Sequence, residues 1–464
     1  MARPRRPIRF WFLAAILAAA CGQDTPEPPE TAPGGNEMVT GSERLGWMQF
    51  AQSQAELATF HYAIYLDGSR GELAGASCET SQSATLFQCS APLPDMTVGP
   101  HTIELAAFII DGVVLESPRS AGIQVTKTAL AAAPAPGPAS TWPEQMALAT
   151  TDGLQLRLDR IAQGVTNPVD MAFAPDGRLF IAEETGRVRV LMPDGRLAAE
   201  PALALDDTRW LALAIDQRFE QTGFVYVLGT RASRDGGQAF ALLRFREAAN
   251  TFFSPIVLLD AVPAASPATG SLRADADGTL FVALDDGGNA QQAGDYSVPN
   301  GKILRLNPDG TTPGDQAGLT PMYASDLRSP RGFAWQPQSR LLWIADQMTE
   351  NSAVVAAIGA ATGAGRRGVR VTSYALPRGT RPSSLAFYGA DAVPALHGNL
   401  LIASDEGQHL LRVRFDAMEP TRVLGTERLL RNTIGGIRSI AVSKDGKIYL
   451  ATADALATLE LAAR

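Results

Sequence analysis

A strand–turn–strand unit, repeated along the chain, constrains the fold more than any other feature. At residues 300–310 it reads NGKILRLNPDG, in which Lys302, Leu304 and Leu306 alternate before a Pro-Asp-Gly turn. Residues 167–195 show the unit most fully. An apolar run at 171–174 meets the turn Pro175-Asp176-Gly177, residues 178–183 form the next strand around Phe180, and 187–191 return after Glu184-Thr185-Gly186. Further copies begin near Trp210, Ser271, Gly332, Ser384 and Ile437, which makes six. Six meander units of blade length predict an all-β chain built as a six-bladed β-propeller. The last copy supplies only three strands. Residues 154–161 alternate cleanly upstream, and pairing them with the last copy closes the ring and removes both sheet edges.

The chain ahead of the propeller divides by composition. Residues 1–20 carry Arg3, Arg5, Arg6 and Arg9 and then an apolar run, the pattern of a secretory signal, too short to span a membrane as a helix. The stretch LAAACG at 17–22 resembles a bacterial lipobox, which makes Cys21 the expected lipidation site. Gly22 is not the aspartate that retains such proteins at the inner membrane, so an outer-membrane lipoprotein is expected; an ordinary cleavable signal is the alternative. Residues 21–40 are rich in Pro, Gly, Glu and Thr and read as a tether. Residues 41–128 form an N-terminal β-sandwich domain, with strands at 60–66, 101–110 and 122–127. Its closing hairpin resembles that of fibronectin III-like or immunoglobulin-like modules. Cys78 and Cys89 close a short loop, and an oxidising compartment favours a disulfide over two free thiols. Residues 129–145 are an Ala-Pro linker, and 146–464 are the propeller.

The net charge is −8, and loss of the leader's four arginines brings it to −12. An exported chain this acidic is a poor candidate for nucleic-acid binding.

The propeller resembles the soluble quinoprotein glucose/sorbosone dehydrogenases. The resemblance is carried by PVDMAFAPDGRLFIAEETGRVRVL from Pro168, by LALAIDQRFEQTGFVYV from Leu211, and by DGTLFVALDDGGN from Asp277 leading into NGKILRLNPDG. The segment from Arg328 to Trp335 resembles the family's R-N-P-x-G-x-x-W turn. The resemblance implies a pyrroloquinoline quinone (PQQ) cofactor, calcium, and oxidation of a sugar hydroxyl to a carbonyl. That reaction needs a base for the hydroxyl proton while hydride leaves carbon.

Carried over residue by residue, the resemblance thins at the site. The family's base, the histidine of an H-x-G-G motif, falls on Pro267, which cannot titrate; no histidine lies between His101 and His397. Asp275, Asp277, Asp285 or Asp286 can replace it only if burial raises an ordinarily weak base. Arg328 matches the family's active-site arginine and Arg438 a late cofactor-binding arginine. The companion arginine falls on Gly436, and a lysine on Glu406. Where an acidic calcium loop is expected, Asp346 and Glu350 remain as candidate metal ligands, with a solvated acidic loop as the alternative. The turn 285–289 offers aspartates suited to capping it. His397 and His409 read as exposed turn residues.

Two functions therefore stand. One is a PQQ-dependent sugar dehydrogenase with a diverged pocket. The other is a non-catalytic envelope propeller that binds a glycan, a peptide or a protein partner. A third, a lactonase-type propeller with a central calcium, has only Asp170 as a ligand.

Overall fold

The computed structural model describes residues 37–39, 44–73, 75–80, 85–94, 96–111, 113–127, 142–233, 237–361 and 365–462. The leader, Cys21 and most of the proposed tether and linker lie outside them. The chain divides into two compact units, Met1–Ala132 and Ala133–Arg464.

The first unit is a two-sheet sandwich. One sheet runs in the order Glu37–Val39, Ile123–Lys127, Gly99–Asp111, His61–Leu66, Ser69–Glu72, with Val113–Glu116 also paired to Gly99–Asp111. The other runs Arg44–Phe50, Leu86–Pro92, Ser77–Thr80. Trp47 and Phe87 from the second sheet pack against Tyr62, Ile103 and Leu105 from the first. Cys78 and Cys89 are bonded and join neighbouring strands of one sheet. Three residues that composition assigns to the tether, Glu37–Val39, instead pair in parallel with Ile123–Lys127.

The second unit is a ring of six blades. Blades 1 to 5 each hold four antiparallel strands, and their inner strands are Pro168–Phe173, Thr208–Ile215, Gly270–Ala274, Pro330–Trp335 and Pro382–Phe387. Blade 6 begins with Ser439–Val442, which lies against both Pro382–Phe387 and Pro168–Phe173 and so closes the ring. The turns follow from their residues. At Pro175-Asp176-Gly177 the Asp176 carboxylate accepts the Arg178 N–H at 3.1 Å, and Gly177 takes φ 87°, a conformation that a side chain disfavours. Asp309 and Gly310 repeat the arrangement after the strand Ile303–Leu306.

The ring is closed by chain from before blade 1. Gln155–Gln163 pairs with Ala455–Leu461, Leu158 opposite Leu459, so the strand expected at 154–161 is in place. Leu156 and Leu158 are fully buried among Ile440, Leu450 and Leu459. A fifth strand, Gln145–Ala149, pairs outside it. Composition places the start of that strand in the linker, because its alternation is too short to stand out.

Candidate functional site

The mouth of the propeller is built from two parts of each blade. One is the residues leading into the inner strand, and the other is the turn between the second and third strands. Those turns carry adjacent acids in alternate blades: Glu183-Glu184 in blade 1, Asp285-Asp286 in blade 3 and Asp405-Glu406 in blade 5. Arginines lead into or begin the facing inner strands.

These groups form two chains of ion pairs around the mouth. Arg438 donates to Glu184 at 3.0 Å, to Asp405 at 3.2 Å and to the Pro168 carbonyl at 3.2 Å. Glu184 also holds Arg209 at 2.7 Å. The first chain thus links blades 2, 1, 6 and 5. In the second, Arg381 bridges Glu406 of its own blade and Glu350 of blade 4, the latter at 3.2 Å. Arg438 and Arg381 are each engaged by two carboxylates.

The same geometry explains the glycine at 436. A Cβ there would overlap the Asp405 carboxylate and approach the Asp405 carbonyl oxygen to 2.7 Å. Asp405 occupies the space a side chain at 436 would need.

A second layer lies below, in blades 3 and 4. Asp346 is buried, and its carboxylate accepts the backbone N–H of Ser329 at 2.7 Å and of Arg328 at 3.1 Å. Burial raises its pKa against the pull of those donors. Asp285 is also buried and accepts N–H groups from Thr269 at 2.7 Å, Gly287 at 2.9 Å and Ala265 at 3.2 Å. Burial again outweighs the donors and raises its pKa. Asp286 caps its turn through Gly288 at 2.9 Å. Both aspartates hold the turn, as their position suggested.

The remaining expected residues fall as follows. Pro267 is exposed in the loop before Gly270–Ala274. The buried carboxylate beside it is Asp285, whose two oxygens are taken by the N–H groups of Ala265 and Thr269 on either side, so it holds the loop rather than facing a ligand as a base. Thr269 Oγ1 lies 3.0 Å from Ser329 Oγ. Arg328 is exposed, and among the described residues its side chain makes no ion pair. Asp346 is buried on the backbone N–H groups of Arg328 and Ser329, whereas Glu350 is exposed and pairs with Arg381. Among the described residues no group of three His, Cys, Asp or Glu is placed to hold a metal. Asp275 and Asp277 lie at the other end of blade 3, paired with Arg340 at 3.0 Å and with Arg305 at 3.0 Å. They are remote from the mouth. His397 is exposed, but His409 is not. It is buried between the Thr380 hydroxyl at 3.1 Å and the Gly407 carbonyl at 2.7 Å, and burial lowers its pKa.

Asp170 points to the channel wall. It accepts the Leu213 N–H at 3.0 Å and two bonds from Arg273. Arg273 also lines a cavity of about 290 Å³ at the far end of the channel, with Phe173, Trp335 and Phe387.

Arg331 is a site residue that the sequence alone did not single out. It follows Pro330 at a register shift between Pro330 and Gly332, so it is the bulged residue of its inner strand. Among the described residues it makes no ion pair, and its Nε is buried without a hydrogen-bond partner. The available signal was an arginine at the variable position of the R-N-P-x-G-type turn.

The glucose/sorbosone dehydrogenase pattern matches residues 165–348 and 356–460. The chain belongs to this family. Among family relatives, quinoprotein glucose dehydrogenase B of Acinetobacter calcoaceticus is 23% identical over 239 residues, covering 43% of this chain and 50% of that one. The chain spans about half the length of the curated relatives it matches. An oxidoreductase of Thermus thermophilus assigned as a glucose dehydrogenase superposes with TM-score 0.56 at 28% identity, over 66% of this chain and 99% of its own. The PQQ-bound aldose sugar dehydrogenase of Streptomyces coelicolor gives TM-score 0.55 at 18% identity, over 69% and 100%. That likeness, at such low identity, concerns the fold.

Proposed function

We propose that the mouth is a saccharide-binding site of the sugar-dehydrogenase type, without the family's proton-abstracting base and with its cofactor cations internally neutralised. The observation that carries this reading is the double engagement of Arg438 by Glu184 and Asp405. Arg381, held by Glu350 and Glu406, repeats it.

The residues present do not fit PQQ. A tricarboxylate needs several cations with free donors; of the mouth arginines, Arg209, Arg381 and Arg438 already face carboxylates, which leaves only Arg328 and Arg331 without an acidic partner among the described residues. Asp405 excludes a further side chain at Gly436, and Glu406 adds negative charge where the resemblance puts a lysine. Asp346 and Glu350 are committed elsewhere, so they do not form a calcium site together. Carboxylates and guanidinium groups side by side do suit a neutral polyol, whose hydroxyls both donate and accept.

A PQQ-dependent sugar dehydrogenase is the second reading, favoured by Arg328 and Arg331, which have no acidic partner among the described residues. Dye reduction by the purified protein with PQQ, calcium and a panel of aldoses separates the two. General-base assistance is worth about 10²–10⁴-fold, so the first reading expects little or no turnover. Robust quinone-dependent turnover would reject it.

We also propose export and lipid anchoring through Cys21, with the sandwich as a spacer from the outer membrane and an envelope glycan or protein as the alternative ligand. Cys21→Ser releases the protein from membranes if this holds. Unchanged membrane association in that variant would contradict it.

A further inference from the structure

The inner strands of four blades carry an extra residue at the same place, where the register shifts against the neighbouring strand. These residues are Val169, Leu211, Arg331 and Ser383. Bulges of this kind re-aim one side chain, and here they do so at the top of the channel. Three of the four are uncharged. Arg331 alone brings a full charge to this level.

The charges acting on Arg331 come from four blades: Asp285 of blade 3, Asp346 of blade 4, Arg381 of blade 5 and Arg209 of blade 2. Its place on the bulge puts it at the mouth end of an inner strand. Burial disfavours its charged form, yet no carboxylate among the described residues lies within ion-pair distance, and its Nε is shielded without a partner. The side chain as a whole is half-buried, but a guanidinium Nε shut off from both water and protein acceptors is held at a cost that an incoming acceptor would offset. Every acid nearby is already satisfied: Asp346 and Asp285 by backbone N–H groups, Glu350 and Glu406 by Arg381.

We propose that Arg331 anchors a carboxylate of the ligand, so that the mouth takes a sugar acid, a uronate or aldonate, in preference to a neutral aldose. This rests on the saccharide reading above. A planar guanidinium recognises one carboxylate through paired N–H bonds. The hydroxyls of Thr269 and Ser329, 3.0 Å apart at the entries to the inner strands of blades 3 and 4, suit the hydroxyls of the same ligand.

The test is calorimetric titration of the full chain and of Arg331→Gln with D-glucuronate and D-glucose. In the unmodified protein glucuronate binds tighter by about tenfold or more, as expected for a charge-assisted pair, and in the variant the two bind alike. Equal affinity for both sugars in the unmodified protein would overturn the carboxylate anchor and leave the saccharide reading standing. Binding of neither would remove both. A melting curve without ligand gives an independent readout. Removing an unpaired charge should raise the midpoint of Arg331→Gln by about 2 °C or more, whereas a lowered midpoint would show that the guanidinium is satisfied within the fold and would overturn the proposal.

Discussion

Arg273 of blade 3 grips Asp170 of blade 1 across the channel, with Nη1 to Oδ2 at 2.6 Å and Nη2 to Oδ1 at 3.1 Å. The pair skips blade 2, which contributes only the Leu213 N–H to the same carboxylate. Asp170 is therefore neutralised and is not presented as a calcium ligand. Removing one partner leaves a buried charge alone. Asp170→Asn is expected to cost about 3 kcal/mol, the low end for a buried pair because Arg273 keeps some exposure. Pairing it with Arg273→Met should restore part of the loss, and urea unfolding of both variants checks this.

Leu158 is fully buried where the strand Gln155–Gln163 completes the last blade. Leu158→Ala should destabilise the propeller by about 2–5 kcal/mol. A substitution costing under about 0.5 kcal/mol in denaturant melts would show that the closing strand bears little of the ring's stability.

The periphery of the ring sets an acid limit. Burial works upward on the Asp277 carboxyl, but hydrogen bonds from Thr279 and the guanidinium groups of Arg305 and Arg366 outweigh it and hold the pKa at about 2, below the ordinary 3.8. Arg412 and Thr150 lower Asp152 to about 2 as well. A depressed carboxyl pKa stabilises the fold above the unfolded value, and that contribution is lost as pH falls through the folded one. Stability should therefore drop between about pH 4 and pH 2. Asp277→Asn should be less stable than the parent at about pH 6 and indistinguishable from it near pH 2, read by chemical denaturation at each pH.

Much of the fold was legible because its signals are local. The Pro-Asp-Gly turns, the alternation of 154–161 and the spacing of six meanders each act over a few residues, and each reappears in the structure. Glu37–Val39 and Gln145–Ala149 were missed because a short strand is defined by its neighbour rather than by its own pattern. The site was less legible. Gly436 and Glu406 were visible as departures from the family, but the reason for them, Asp405 filling one position and Arg381 pairing the other, depends on contacts between segments distant in sequence. His409, at a strand start close to Glu406, read as an exposed turn residue, whereas the strand it opens carries it into the interior. The doubled acids at 183–184, 285–286 and 405–406 were readable as a repeat and mark the turns that ring the mouth.

The Cys78–Cys89 bond belongs to the sandwich alone. Its loop spans a separation of 11 residues. Reduction should cost the sandwich about 3 kcal/mol by the chain-entropy estimate. Calorimetry with and without reductant should shift one transition and leave the propeller's in place.

The central claim is that internal carboxylates have taken the positions a tricarboxylate cofactor would need. Equilibrium titration of the purified protein with PQQ in the presence of calcium, followed by the quinone's absorbance, tests it most directly. Neutralised arginines predict no saturable binding at micromolar cofactor. Tight, stoichiometric uptake of PQQ would contradict the account, and would mean that Arg328 and Arg331 suffice for the cofactor or that Arg438 and Arg381 exchange their carboxylates for it.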